Sequence, residues 1–175
     1  MNKEYTFFVA SLFWSATSLA STQSSDENIC KSYESEIASC SLKGKSKKIA
    51  SICVSKKTKQ VAYYFGTKQK IELEVKFSSD HVLYRWVDPG SYVTFLGFNQ
   101  DGYSYVIGVP QETYSARAML IVKDSKRLID FNHYSLCLRN SFGQKEWVGE
   151  GVQDVYGREG EFLFPPVSTK KDGSE

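Results

Sequence analysis

The chain has 175 residues, a formal net charge of +2, and 41% hydrophobic and 14% aromatic residues. So near-balanced a charge gives no reason to expect a nucleic-acid binder, and the density of Tyr and Phe favours strands over helices. The length suits one compact domain with a real core and is short for two.

The chain opens with a weakly basic start, Met1-Asn2-Lys3-Glu4, and an apolar stretch from Tyr5 to Ala20. The stretch closes on Ser18-Leu19-Ala20, with small residues at the two positions a signal peptidase reads. It is too short and too rich in Ser and Thr for a membrane span, so residues 1–20 read as an export signal. The expected product is periplasmic or secreted, not an integral membrane protein, with the domain at residues 21–167. Residues 21–28 (STQSSDEN) read as a polar arm and residues 168–175 (STKKDGSE) as a disordered tail.

Between these ends the chain reads as short strands separated by turn signals. The first two, 37–42 and 48–54, flank Lys43-Gly44-Lys45-Ser46. Residues 60–65 end at Gly66 and lead into 70–77, where Ile71, Leu73, Val75 and Phe77 alternate with Lys70, Glu72, Glu74 and Lys76. That period of two predicts one buried and one wet face. After the turn Asp88-Pro89-Gly90, strands at 92–98 and 103–109 enclose Asn99-Gln100-Asp101-Gly102. Strands at 116–122 and 127–131 follow. The expected fold is all-β, a single antiparallel meander of about eight strands forming a barrel or a two-layer sandwich. After Asn140 the spacing of Gly143, Gly149, Gly151, Gly157 and Gly160 leaves open an irregular strand pair or a loop.

The four cysteines, Cys30, Cys40, Cys53 and Cys137, allow three pairings of two disulfides. Cys40 and Cys53 lie on consecutive predicted strands, so the expected bridges are Cys40–Cys53 and Cys30–Cys137. A metal site would want a Cys-x-x-Cys pair or nearby histidines, and none is present. Neither a metal nor a cofactor is expected.

From Glu34 to Val75 the chain resembles a family of small exported, cysteine-containing bacterial β-proteins with no assigned activity. The motifs are Glu36-Ile37-Ala38-Ser39-Cys40, Lys47-Lys48-Ile49-Ala50-Ser51-Ile52-Cys53, Tyr63-Tyr64-Phe65-Gly66 and Ile71-Glu72-Leu73. The resemblance implies a barrel-like body and, again, a Cys40–Cys53 bridge. The chain departs from it at Tyr64, where relatives carry Arg, and in a longer Gly-rich C-terminal region.

Candidate chemistry is sparse. The two histidines, His81 and His133, would have to supply any base, and no Gly-x-Ser-x-Gly elbow, His-Glu-x-x-His or phosphate loop accompanies them. Asp80 and His81 are neighbours, which in a strand face opposite ways. Glu72 and Glu74 share a strand face but are flanked there by Lys70 and Lys76, the pattern of a solvated surface. Tyr84, Trp86, Tyr92, Phe95, Phe98, Tyr103 and Tyr105 form an aromatic series. If the strand from Tyr92 is regular, Leu96 and Phe98 face one way while Val93 and Phe95 face the other.

The sharpest anomaly is charge. From Ile37 to Ile71 there are nine Lys and no Asp or Glu. Lys43, Lys45, Lys47, Lys48, Lys56, Lys57 and Lys59 are the candidate binding residues, expected to gather at neighbouring turns as one positive end. The absence of Arg argues against bidentate phosphate reading. These features lead to the expectation of an exported, non-catalytic binding protein, such as a periplasmic inhibitor or immunity protein of a cell-envelope hydrolase. Its partner would be an acidic protein or an anionic envelope polymer. The alternatives are an envelope polysaccharide- or lipid-binding module, or a small hydrolase using His81 or His133.

Overall fold

The computed structural model describes residues 28–111, 117–124, 134–142 and 147–157. The expected export signal, most of the polar arm, the strand at 127–131, His133 and the tail lie outside these residues. The described chain forms β1 (Glu34–Leu42), β2 (Ile49–Ser55), β3 (Val61–Gly66), β4 (Ile71–Lys76), β5 (Leu83–Val87), β6 (Val93–Gln100), β7 (Tyr103–Pro110), β8 (Met119–Asp124), β9 (Ser135–Phe142) and β10 (Val152–Asp154). Seven of these match expected strands. β5 and β9 lie outside the expected strands, and β10 falls in the Gly-rich region left open between an irregular strand pair and a loop.

All ten belong to one sheet in the order β10-β5-β6-β7-β8-β9-β1-β2-β3-β4. Two antiparallel meanders, β1–β4 and β5–β9, are joined where β9 pairs antiparallel with β1. β10 lies parallel to β5, so the sheet is mixed. The sheet curls into a half-barrel. Tyr63 on β3 and Phe98 on β6 meet with ring centroids 4.9 Å apart, although β7, β8, β9, β1 and β2 lie between their strands.

Alternation decides which side chains fill the curl. Ala50, Ile52 and Val54 of β2, Val61 and Tyr63 of β3, and Leu96 and Phe98 of β6 point into one buried cluster with Phe77 and Ile107. The opposite parity makes two smaller outer clusters. Trp86, Val93, Phe95, Val106, Ile121 and Val155 form one, while Ile29, Ile49, Cys53, Ala62 and Tyr64 form the other. The expected parity of β6 holds, and its outer aromatic is packed against Trp86 at 5.6 Å.

The disulfides are Cys30–Cys53 and Cys40–Cys137, with Cα–Cα distances of 5.7 and 5.0 Å. This corrects the expected pairing. In the β1–β2 hairpin Cys40 stands opposite Ala50, which is three positions, or about 10 Å, from Cys53 along the strand. A disulfide spans Cα atoms no more than about 7 Å apart. Cys40 also belongs to the inner cluster and Cys53 to an outer one. Cys53 therefore meets the arm that crosses the outer face, and Cys40 reaches β9, where Leu42 pairs with Cys137.

The arm is held by more than its disulfide. Glu34, 9% exposed, accepts hydrogen bonds from Tyr64 Oη and the Lys31 amide, each at 2.8 Å. Lys31 Nζ lies 4.9 Å above the Tyr64 ring and pairs with Glu74 at 2.9 Å.

The Gly-rich C-terminal segment seams the curl. The Glu150 amide donates to the Lys59 carbonyl and the Leu83 amide to the Gly151 carbonyl, so residues 150–151 tie the start of β3 to β5. A Cβ at Gly149 would lie 2.2 Å from Val61 Cγ2, and one at Gly151 would lie 2.4 Å from the backbone of Phe77 and Ser78. Only glycine permits so close a passage, and Gly151 also holds φ +76°. Arg85 clamps the outgoing strand, holding Asp154 with both Nε and Nη2 while lying 4.9 Å over the Trp147 ring.

Candidate binding site

In a meander successive turns fall at alternate ends of the sheet. The β1–β2 turn (43–48) and the β3–β4 turn (67–70) share one end, and the β2–β3 turn (56–60) lies at the other. β2 is seven residues long, which separates the ends by about 20 Å. The candidate lysines therefore do not form one positive end. Lys43, Lys45 and Lys47 sit at the first end, and Lys56, Lys57 and Lys59 at the opposite one.

The first end is concave. Among the described residues, a cavity of about 670 Å³ is lined by Lys43, Lys45, Lys47 and Lys68, with Leu42, Ile49 and Leu138 among its apolar walls and no carboxylate among these. Both turns are locally fixed. The Leu42 amide donates to the Lys48 carbonyl at 2.8 Å and the Lys47 amide to the Gly44 carbonyl at 3.3 Å. Lys47 adopts φ 45°, left-handed backbone that side chains other than Gly, Asn and Asp rarely take. In the other turn the Thr67 amide donates to the Lys70 carbonyl, and the Lys70 amide returns to Thr67 Oγ1 at 3.1 Å.

The lysines divide by what they touch. Lys48 leaves the cavity, pairing with Glu72 at 2.6 Å and lying 5.4 Å over the Phe65 ring. Among the described residues Lys43, Lys45 and Lys47 form no ion pair. At the far end Lys56 Nζ donates to the Ser32 carbonyl at 3.3 Å, and the Lys59 carbonyl is used by the seam. Lys68 was not singled out from the sequence. Counting alternate turns of the meander is the signal that finds it, since its turn must share an end with residues 43–48.

The other candidates are placed elsewhere. His81 closes a tight turn with Ser78, its ring Nε2 donates to the Asn99 carbonyl at 3.0 Å, and the ring packs against Phe77. The Asp80 carboxylate accepts from Ser79 Oγ rather than from the imidazole. Glu72 and Glu74 are paired separately, with Lys48 and Lys31. Of the aromatic series, Phe98 and Tyr105 stack at 5.1 Å in the inner cluster, while Tyr92 and Tyr103 are exposed. Among the described residues no three His, Cys, Asp or Glu side chains group as metal ligands, and no helix is long and apolar enough to cross a membrane.

Comparison of the chain with protein-family models, with curated proteins and with solved structures found no match.

Proposed function

We propose that this chain is an exported binding protein that captures an anionic component of the cell envelope at the mouth formed by the 41–47 and 67–69 segments. One observation carries the reading: Lys43, Lys45 and Lys47, which form no ion pair among the described residues, line a single cavity whose described lining holds no carboxylate. Lysines set close together repel one another, and an anion relieves that repulsion while gaining their attraction. The two disulfides support the exported half of the reading, since such bridges persist in oxidising compartments.

Two triple charge reversals test it. K43E/K45E/K47E alters the mouth, and K56E/K57E/K59E places the same charge change at the opposite end. Binding to immobilised lipopolysaccharide and to a teichoic-type polyanion is measured at low and high salt. The reading expects the mouth variant to lose at least tenfold in affinity, with a smaller loss for the other. Exposed lysines cost little stability, within about 0.5 kcal/mol each, so both variants should melt like the parent. Equal losses at the two ends would make the binding a matter of net charge and sink the reading.

A second reading is favoured by the shape of the β1–β2 turn, whose residues from Lys43 to Lys47 are all exposed. A cationic turn of this kind suits insertion into an acidic cleft, as in a periplasmic inhibitor or immunity protein of an envelope hydrolase. Recovery from envelope extract of one stoichiometric protein partner, lost in the mouth variant, would select it.

A further inference from the structure

The walls of the lysine mouth are not those of a plain anion site. Leu42 and Leu138 line it together with the buried Ile49. Leu138 is 49% exposed there, and Leu42 packs against the inner cluster while staying partly open. Lysine stems lie readily along such surface and keep their ammonium groups in water. The result is apolar walls under a cationic rim. A cavity of about 670 Å³ falls within the ~300–1,000 Å³ range of small-molecule sites, which are mostly apolar with a few placed polar groups.

Three classes of ligand can be weighed against these walls. Inorganic phosphate or an anionic, hydrophilic glycan would satisfy the ammonium groups and leave the leucines against water. A neutral lipid would cover the leucines and leave Lys43, Lys45 and Lys47 without counter-charge. A chain with an apolar body and one anionic head answers both.

We infer that the mouth binds one single-chain anionic amphiphile, its carboxylate or phosphate head among Lys43, Lys45 and Lys47 and its aliphatic chain against Ile49 and Leu138. The inference rests on the reading of this mouth as the working surface and specifies its ligand. Lysine's compact, freely rotating charge accepts either head, whereas arginine would favour a bidentate oxyanion.

The test is a chain-length series measured by calorimetry below micelle-forming concentrations. Alkyl phosphates and alkyl carboxylates of four, eight and twelve carbons are compared with inorganic phosphate and with a neutral twelve-carbon maltoside. The expected result is one molecule bound per chain and affinity rising by up to about fourfold per methylene. The maltoside should bind at least tenfold more weakly than the anions of equal length. K43E/K45E/K47E should lower affinity for all anions about equally, whereas L138D, at a half-exposed site, should flatten the chain-length dependence. The two heads distinguish a fatty-acid source from a phospholipid source. Affinity independent of chain length would overturn the inference and leave an anion site. Equal binding of the maltoside would overturn it in favour of unspecific apolar contact. Polyanion capture without amphiphile binding would overturn it while the broader reading stands, and loss of both would remove the two together.

Discussion

Inside the half-barrel the rings of Tyr63 and Tyr105 lie 5.9 Å apart, and the Tyr63 hydroxyl finds no hydrogen-bond partner among the described residues. Tyr63 is 1% exposed. Its ring is well used, packed against Phe98 and Tyr105, but among the described residues its oxygen gains no partner for the water it gave up. Such an orphaned hydroxyl costs about 1–3 kcal/mol.

Tyr63→Phe is therefore expected to stabilise the protein by about 1 kcal/mol, a rise of roughly 2–4 °C in melting temperature for a domain of this size. Thermal denaturation followed by near-UV circular dichroism checks it. A fall in melting temperature would mean that the hydroxyl has a partner.

Burial pushes the ionisation of Tyr63 upward, and burial together with the hydrogen bond to Glu34 does the same for Tyr64. Both groups bind their protons more tightly folded than unfolded, where tyrosine ionises near pH ~10. Their contribution is thus complete below about pH 10 and is lost as pH rises beyond it. Urea midpoints should stay level from pH 8 to about 9.5 and then fall. For each such group the loss approaches about 1.4 kcal/mol per pH unit. In Tyr63→Phe the alkaline slope should be shallower by one proton.

Non-reducing peptide mapping should recover Cys30 linked to Cys53 and Cys40 linked to Cys137. Trypsin cuts after Lys47 and Lys48, which separates Cys40 from Cys53 and makes the assignment unambiguous. The sequence separations are 23 and 97 residues, so chain entropy assigns about 3 kcal/mol to the first bridge and about 5 to the second. The C40A/C137A pair should be the more destabilised in urea.

Gly151→Ala is expected to break the seam. The new methyl would fall on the Phe77 and Ser78 backbone at a residue with φ +76°, a combination that costs about 2–4 kcal/mol. Hydrogen exchange gives the sharper reading. The amides of Leu83 and Glu150, which hydrogen-bond across the seam, should lose protection while those of β1 to β3 keep theirs. Unchanged protection at both would show that the seam tolerates a side chain.

What could be read in advance depended on how local each determinant is. The alternation in β4 and the parity of β6 are written in consecutive residues; β6 keeps its parity, while in β4 Val75 is buried, Leu73 partly so, and Ile71 at the strand's start is exposed. β5 carries Arg85 in its middle, and that charge is accommodated by Asp154 and Trp147, more than sixty positions away. β9 is placed by its register with β1 and by Cys137, both distant in sequence. The disulfide pairing failed on a matter of face. Adjacency along the chain brought Cys40 and Cys53 onto one hairpin, but register and parity set them apart. The lysines failed on the same geometry at larger scale, since a meander that reverses at every turn must share its charged turns between two ends.

The covalent bond between Cys40 and Cys137 ties β1 to β9, the line along which the two meanders join, while the opposite margin is closed by amides, glycines and one arginine clamp. The molecule is thus bound like a book, with a sewn spine, a packed interior and a fore-edge joined by clasps without a covalent bond among the described residues. Reduction of that one bridge leaves the join between the two meanders to hydrogen bonds and packing alone.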